Sequence, residues 1–123
     1  MSDPRRALGE LGERMAEQHL LAKGYRIRER NFRIREGEID LIAETDGTLV
    51  FVEVRARKGA RMGTAIESLT PAKRRRLIVL AEAYGQVRED LPEDQRIDVI
   101  ALDLSASGKL LSVEHIEGAV WAE

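Results

Sequence analysis

The chain contains no cysteine. That excludes disulfides, thiolate nucleophiles and cysteine-ligated zinc. Aromatic residues make up only 4% of the sequence, so base stacking cannot dominate any contact with nucleic acid. No apolar run approaches the roughly 20 residues that a bilayer-spanning helix needs. The opening residues, MSDPRRALGE, lack the apolar core of a signal peptide. A cytoplasmic protein with no membrane partner is the expectation. There is no serine-nucleophile motif, no phosphate-binding glycine loop and no dinucleotide fingerprint. The two histidines, His19 and His115, stand far apart without a ligand spacing, and both are expected at the surface or its boundary.

What is present is an ordinary soluble composition, 43% hydrophobic and 34% charged over 123 residues. That length suits a single domain, residues 1–123, with one buried core. The net charge of −2 argues against a simple polyanion binder. The distribution of charge is more informative. Arg55, Arg57, Lys58 and Arg61 form one basic group, and Lys73, Arg74, Arg75 and Arg76 form a second. Acids gather between Glu89 and Asp94 and at the C-terminus.

The segment SDPRRALGELGERMAEQHLLAKG predicts a first helix. Asp3 is its N-cap, Pro4 its first residue and Gly24 its stop. Leu8, Leu11, Met15 and Ala22 lie near one face, widened by Ala16 and Leu20. YRIRERNFRI predicts a strand near a sheet edge. EIDLIAE and TLVFVEVRA follow as strands, and Asp46-Gly47 between them is a strong hairpin signal. Lys58 to Ser68 predicts a mobile loop. Thr70 and Pro71 open a second helix with an apolar stripe of Leu77, Leu80, Ala81 and Tyr84. RIDVIALDL and LLSVEHIEGAV, joined by SASGK, complete the order α-β-β-β-α-β-β. This is an α/β fold with a central mixed sheet flanked by helices.

If Asp46-Gly47 is the two-residue turn, opposing residues have numbers that sum to 93. Asp40 then faces Glu53 across the hairpin, with Cβ atoms roughly 5 Å apart. Ile39 and Leu41 point to the other side with Val52 and Val54. Two desolvated acids must share a proton or hold a cation. Hard oxygen donors at this separation suit Mg²⁺ or Mn²⁺. The same register sets Glu38 against Arg55 and Glu36 against Arg57, so cross-strand ion pairing is the competing structural account. The cluster Lys73 to Arg76 opens a helix at the end where cations are mildly disfavoured, which points to an anionic partner. Its alternative is a solvated turn paired with acids such as Glu67.

The segments GERMAEQHLLAKGY, GEIDLIA, LVFVEVRAR, GTAIESLTPAKRRRL and RIDVIAL, taken in order, resemble the bacterial YraN-like family of uncharacterised proteins. GEID followed by FVEVR looks like the wider PD-(D/E)xK superfamily, which has the restriction-endonuclease-like fold, and the match is closest to its Holliday-junction-resolvase-like relatives. The resemblance implies a restriction-endonuclease-like core. It implies that Asp40 and Glu53 are the motif's metal ligands and that Glu13 is the additional acid of the first helix. The motif ends here in Arg55, where its relatives usually carry lysine. Arginine can stabilise charge but cannot act as a base.

Three functions are open on these residues. The first is a Mg²⁺- or Mn²⁺-dependent nuclease acting on DNA in preference to RNA, on branched or flapped substrates. Glu13, Asp40 and Glu53 would hold the metal, Arg55 would stabilise the phosphate, and Arg57, Lys58, Arg61, Lys73 and Arg76 would contact the nucleic-acid backbone. Two symmetric cuts, as resolvases make, would imply a homodimer. The second is a nucleic-acid-binding module of the same fold without the chemistry. The third is a protein-interaction module.

Overall fold

Asp3 accepts the Arg5 N–H at 2.9 Å through its carboxylate, and with Pro4 at the first helical position it starts α1, Pro4–Ala22. Gly24, at φ +89°, ends it and turns the chain into the sheet. The computed structural model describes residues 3–59 and 66–121. The strands are β1 (Arg26–Ile34), β2 (Gly37–Thr45), β3 (Thr48–Lys58), β4 (Asp94–Leu104) and β5 (Leu110–Val120), and α2 (Pro71–Val87) lies between β3 and β4. Asp46 and Gly47 both adopt positive φ, 45° and 75°, as a type I′ turn requires. Thr70 caps α2 by accepting the Lys73 N–H at 3.1 Å.

The five strands lie in the order β1-β2-β3-β4-β5. β3 and β4 run parallel, and the other neighbouring pairs are antiparallel. The parallel pair needs a crossover, and α2 supplies it. The expected α/β layout, a mixed sheet flanked by two helices, is therefore the one observed.

Alternation along the strands divides the core in two. On one face Phe51 and Val99 pack with Leu77, Leu80, Ala81 and Tyr84 of α2. On the other, Val50, Val52, Ile100 and Leu102 pack with Ala16 and Leu20 of α1. Each fully buried leucine here contributes about 1.5–3 kcal/mol. Among the described residues, no helix is long and apolar enough to cross a membrane.

Two expectations are corrected. The buried line of α1 is Gly12, Ala16 and Leu20, whereas Leu8, Leu11 and Met15 are only partly covered and Ala22 is exposed. The reason is close approach: a Cβ on Gly12 would stand 2.8 Å from Ala56 Cβ, so the helix rides on β3 along its small residues. The predicted loop from Lys58 to Ser68 has regular structure at both ends, and its residues 60–65 lie outside the described residues. β3 runs through Lys58 alongside β4, and Ile66–Ser68 form a 3₁₀ turn.

Candidate functional site

Asp40 sits where the β2–β3 ladder stops. The last paired residues are Leu41 and Val52, and one further step of that register sets Asp40 beside Glu53. Asp40 Oδ2 accepts the Val54 N–H at 2.8 Å. The strand also twists through this point. Ile39 packs into the α2 core and Leu41 into the α1 core, so the expectation that both share one face is wrong. On β1, Asn31 adopts φ 52° between Arg30, which pairs with Leu41, and Phe32, which pairs with Ile39. The kink passes through both strands.

The kink gathers acids. Carboxylate oxygens of Glu13, Glu38 and Asp40 lie within 4.8 Å of one another. Asn31 Nδ2 donates to Glu13 Oε1 at 2.8 Å and to Glu38 Oε1 at 2.6 Å. Arg33 holds the other Glu38 oxygen at 2.6 Å. Glu53, only 5% exposed, meets Lys73 Nζ at 2.9 Å and Arg55 Nη1 at 3.7 Å. A cavity of about 390 Å³ is lined by Glu13, Glu38, Asp40, Glu53, Lys73 and Arg76, with Leu77 and Leu80 as its apolar wall.

Burial pushes the Asp40 carboxyl up to about 8, and the charge of Glu53 adds to the shift; the Val54 N–H works against it, and Glu13 adds further repulsion. Burial and the neighbouring carboxylates thus disfavour the ionised form of Asp40. Glu13, Glu38 and Asp40, with hard oxygen donors within 4.8 Å of one another, could hold a divalent ion, whereas Glu53 lines the cavity but is not in that group.

Of the residues singled out in the sequence, Asp40, Glu53, Glu13, Lys73 and Arg76 come together at this cavity. Arg55 reaches Glu53 but is not among the described residues that line it. Arg57 is bound by Asp103 through Nε at 3.0 Å and Nη2 at 3.3 Å. Lys58 ends β3, exposed, and Arg61 lies outside the described residues. In place of the expected pairs Glu38–Arg55 and Glu36–Arg57, Glu38 is held by Arg33 and Arg57 by Asp103, because β2 leaves β3 at Leu41 and the rest of β3 follows β4. Arg74 donates to the Leu69 and Ile66 carbonyls, so it buttresses the turn before α2.

Sequence reasoning missed Glu38 as a site residue and Asn31 as the side chain that ties it to Glu13. The β1–β2 pairing that joins them turns at Arg35-Glu36, directly before Gly37 at φ +146°. It also missed a second polar cluster. Asp98, fully buried, accepts from Arg96 Nε at 3.0 Å and from the Gly118 N–H at 2.9 Å, and lies 2.8 Å from His115 Nε2. His115 lies at the boundary, with its side chain 4% exposed, and its ring lies 5.7 Å from that of His19. Asp98, His115 and Glu117 could reach a common ion, but the Arg96 guanidinium already bonds both Asp98 and Glu117. That arrangement neutralises the acids and disfavours a metal.

Comparison with known proteins gives a consistent family. A UPF0102 protein of Roseiflexus castenholzii is 46% identical over 122 residues, 98% of each chain. One from Symbiobacterium thermophilum is 49% identical over 105 residues, 85% of this chain and 89% of its own. Among solved structures, Pyrococcus furiosus SfsA in complex with Ca²⁺ aligns at TM-score 0.37 and 18% identity, over 96% of this chain and 65% of that one; a likeness so distant supports no conclusion. Residues 12–102, the span that carries every acid of the cavity, match Uncharacterised protein family UPF0102, and the chain belongs to that family.

Proposed function

We propose that the protein is a divalent-metal-dependent nuclease that hydrolyses nucleic-acid phosphodiester bonds. The observation that carries this reading is the meeting of Glu13, Glu38, Asp40 and Glu53 with Lys73 and Arg76 around one cavity. Carboxylates suited to Mg²⁺ or Mn²⁺ beside cations suited to phosphate are the two halves that phosphodiester hydrolysis needs. The resemblance of GEID and FVEVR to the PD-(D/E)xK pattern supports it.

Glu13, Glu38, Asp40 and Glu53 would hold the ion, which when bound supplies Lewis-acid polarisation of the phosphate and acidifies water. Asn31 and Arg33 orient Glu13 and Glu38. The Val54 N–H fixes Asp40. Arg76, exposed at the cavity rim, is placed to contact a backbone phosphate. DNA is the first substrate to test.

The test is a panel of single-stranded, duplex, flapped and four-way DNA, with RNA, incubated with Mg²⁺ or Mn²⁺. Cleavage that disappears in Asp40→Ala and Glu53→Ala is the expected result. Cleavage undiminished in both variants removes these residues from the chemistry. Arg55 in the usual lysine position motivates a second reading, a nucleic-acid-binding module of the same fold. That reading expects salt-dependent binding with no cleavage under either ion.

A further inference from the structure

We infer that Lys73, reaching into the cavity from α2, is the cation that contacts the scissile phosphate, and that it takes the place Arg55 would hold at the end of the β3 motif. This inference rests on the nuclease reading above. Three observations carry it. Lys73 Nζ stands 2.9 Å from Glu53 Oε2, whereas Arg55 stands at 3.7 Å from the same oxygen. Lys73 lines the acidic cavity with Asp40 and Glu53, and Arg55 is not among the described residues that do. Thr70 accepts the Lys73 backbone N–H at 3.1 Å, so the residue sits in the capped first turn of α2 and its stem leaves the fold from a fixed point.

The chemistry suits lysine better than arginine in this position. Lysine is a compact point charge with three rotatable donors, whereas arginine presents a fixed planar fork. In a crowded cavity an ammonium can turn from Glu53 to a phosphate oxygen about the bonds of its own stem. Its proximity to Glu53 also gives it a resting place. In the metal-free protein it offsets the charge of a nearly buried carboxylate, and with substrate bound it faces the non-bridging oxygens.

In the hydrolysis itself, a water oxygen bonds to phosphorus as the bond from phosphorus to the leaving sugar oxygen breaks. The water loses one proton to solvent and the leaving oxygen gains one. Lys73 donates hydrogen bonds to the phosphate and transfers no net proton. Its contribution is therefore electrostatic, the kind whose removal costs on the order of 100-fold or more in rate.

Two measurements test the assignment. In the first, Lys73→Met is compared with Arg55→Met for cleavage of the best substrate in the panel. The expected result is a fall in kcat of about 100-fold for Lys73→Met with KM nearly unchanged, and a fall of less than about 5-fold for Arg55→Met. Activity within about 3-fold of wild type in Lys73→Met, or an equal loss in Arg55→Met, overturns the assignment and leaves the nuclease reading standing. The second measurement needs no turnover. The side-chain CH₂–NH₃⁺ resonances of the four lysines, Lys23, Lys58, Lys73 and Lys109, are followed by NMR in the wild-type protein with Mg²⁺ as thymidine 3′,5′-bisphosphate is added. The Lys73 signal is expected to shift, and to stay still in Asp40→Ala. A Lys73 signal indifferent to the bisphosphate overturns the assignment. A wild-type protein that cleaves nothing in the panel overturns the nuclease reading itself, and this inference with it.

Discussion

The Asp40 carboxylate accepts the Val54 N–H at 2.8 Å, one step past the last backbone pair of the β2–β3 ladder. The side chain extends the hairpin by one hydrogen bond and in doing so is pinned beside Glu53. Asp40→Asn keeps an oxygen for the Val54 N–H and removes the charge that repels Glu53. In metal-free protein at pH 8, Asp40→Asn is expected to raise Tm by about 4 °C or more, the shift that roughly 1 kcal/mol gives at this size. Asp40→Ala loses the bond as well and should gain less. Thermal denaturation of the two variants side by side reads the difference. An Asn variant no more stable than wild type would show that repulsion in the cavity is already relieved.

The Asp40 carboxyl sits near 8 in the fold, against an ordinary value of 3.8. Between those values the native state keeps a proton that the unfolded chain has lost. Stability from this group is thus fully present below pH 4 and drains away as pH rises toward 8. Metal-free protein should lose denaturation midpoint between pH 5 and pH 8, and Asp40→Asn should flatten that slope. Added Mg²⁺ should restore more stability at pH 8 than at pH 5, because the ion replaces the proton. Urea titrations with and without Mg²⁺ at the two pH values check both signs.

Asp98 behaves in the opposite sense. Burial raises its carboxyl, but His115, Arg96 and the Gly118 N–H outweigh burial and hold it below the ordinary range. Its contribution is present above that range and lost in acid. Asp98→Ala leaves Arg96 and His115 without their shared partner in a closed site. The expected cost is about 1–3 kcal/mol in urea unfolding, the penalty of a buried group left without its hydrogen-bond partner, since Arg96 keeps Glu117.

Gly12 lets α1 lie against β3, since a Cβ there would stand 2.8 Å from Ala56 Cβ. Gly12→Ala should cost about 1–3 kcal/mol through overpacking, despite alanine's better helix propensity. Gly9, where an added Cβ would meet nothing within 4 Å, serves as the control, and Gly9→Ala should be neutral or stabilising. Circular-dichroism melts of the pair separate packing from propensity.

Arg76 and Arg57 should differ in binding. Arg76 is exposed at the cavity, and Arg57 is held by Asp103. Arg76→Ala should reduce the slope of log K against log salt by about 1, the loss of one phosphate contact. Arg57→Ala should leave that slope nearly unchanged. Fluorescence anisotropy with labelled DNA across a salt series, in Ca²⁺, measures both.

Much of the site is legible in the sequence because it lies on a hairpin whose register Asp46-Gly47 announces. Counting back from that turn brings Asp40 to Glu53. The count fails beyond Asp40, where β2 kinks away, and so it sets Glu38 against Arg55 when Glu38 belongs with Asn31 and Arg33. The kink depends on the positive φ of Asn31 on a neighbouring strand, and a residue-by-residue reading of β2 does not contain it. The order of elements is also readable, since caps and turns mark α1, α2 and the β4–β5 turn. The Asp98–His115 contact is not. It joins residues 17 positions apart, and the β4–β5 register shifts between Ile97 and Val99. Counting along that hairpin goes astray where the buried acid sits.

The parallel pairing of β3 with β4 has a consequence for how the molecule assembles. Asp40 and Glu53 meet through a two-residue turn, among the fastest contacts a chain can make, whereas Lys73 arrives only when the crossover helix docks on the sheet. The acids are therefore expected to come together before their resident counter-charge. A nascent hairpin at neutral pH carries its own repulsion until α2 lands or an ion is taken from solution. Refolding of the metal-free chain at neutral pH should accordingly be slower than that of the metal-loaded chain.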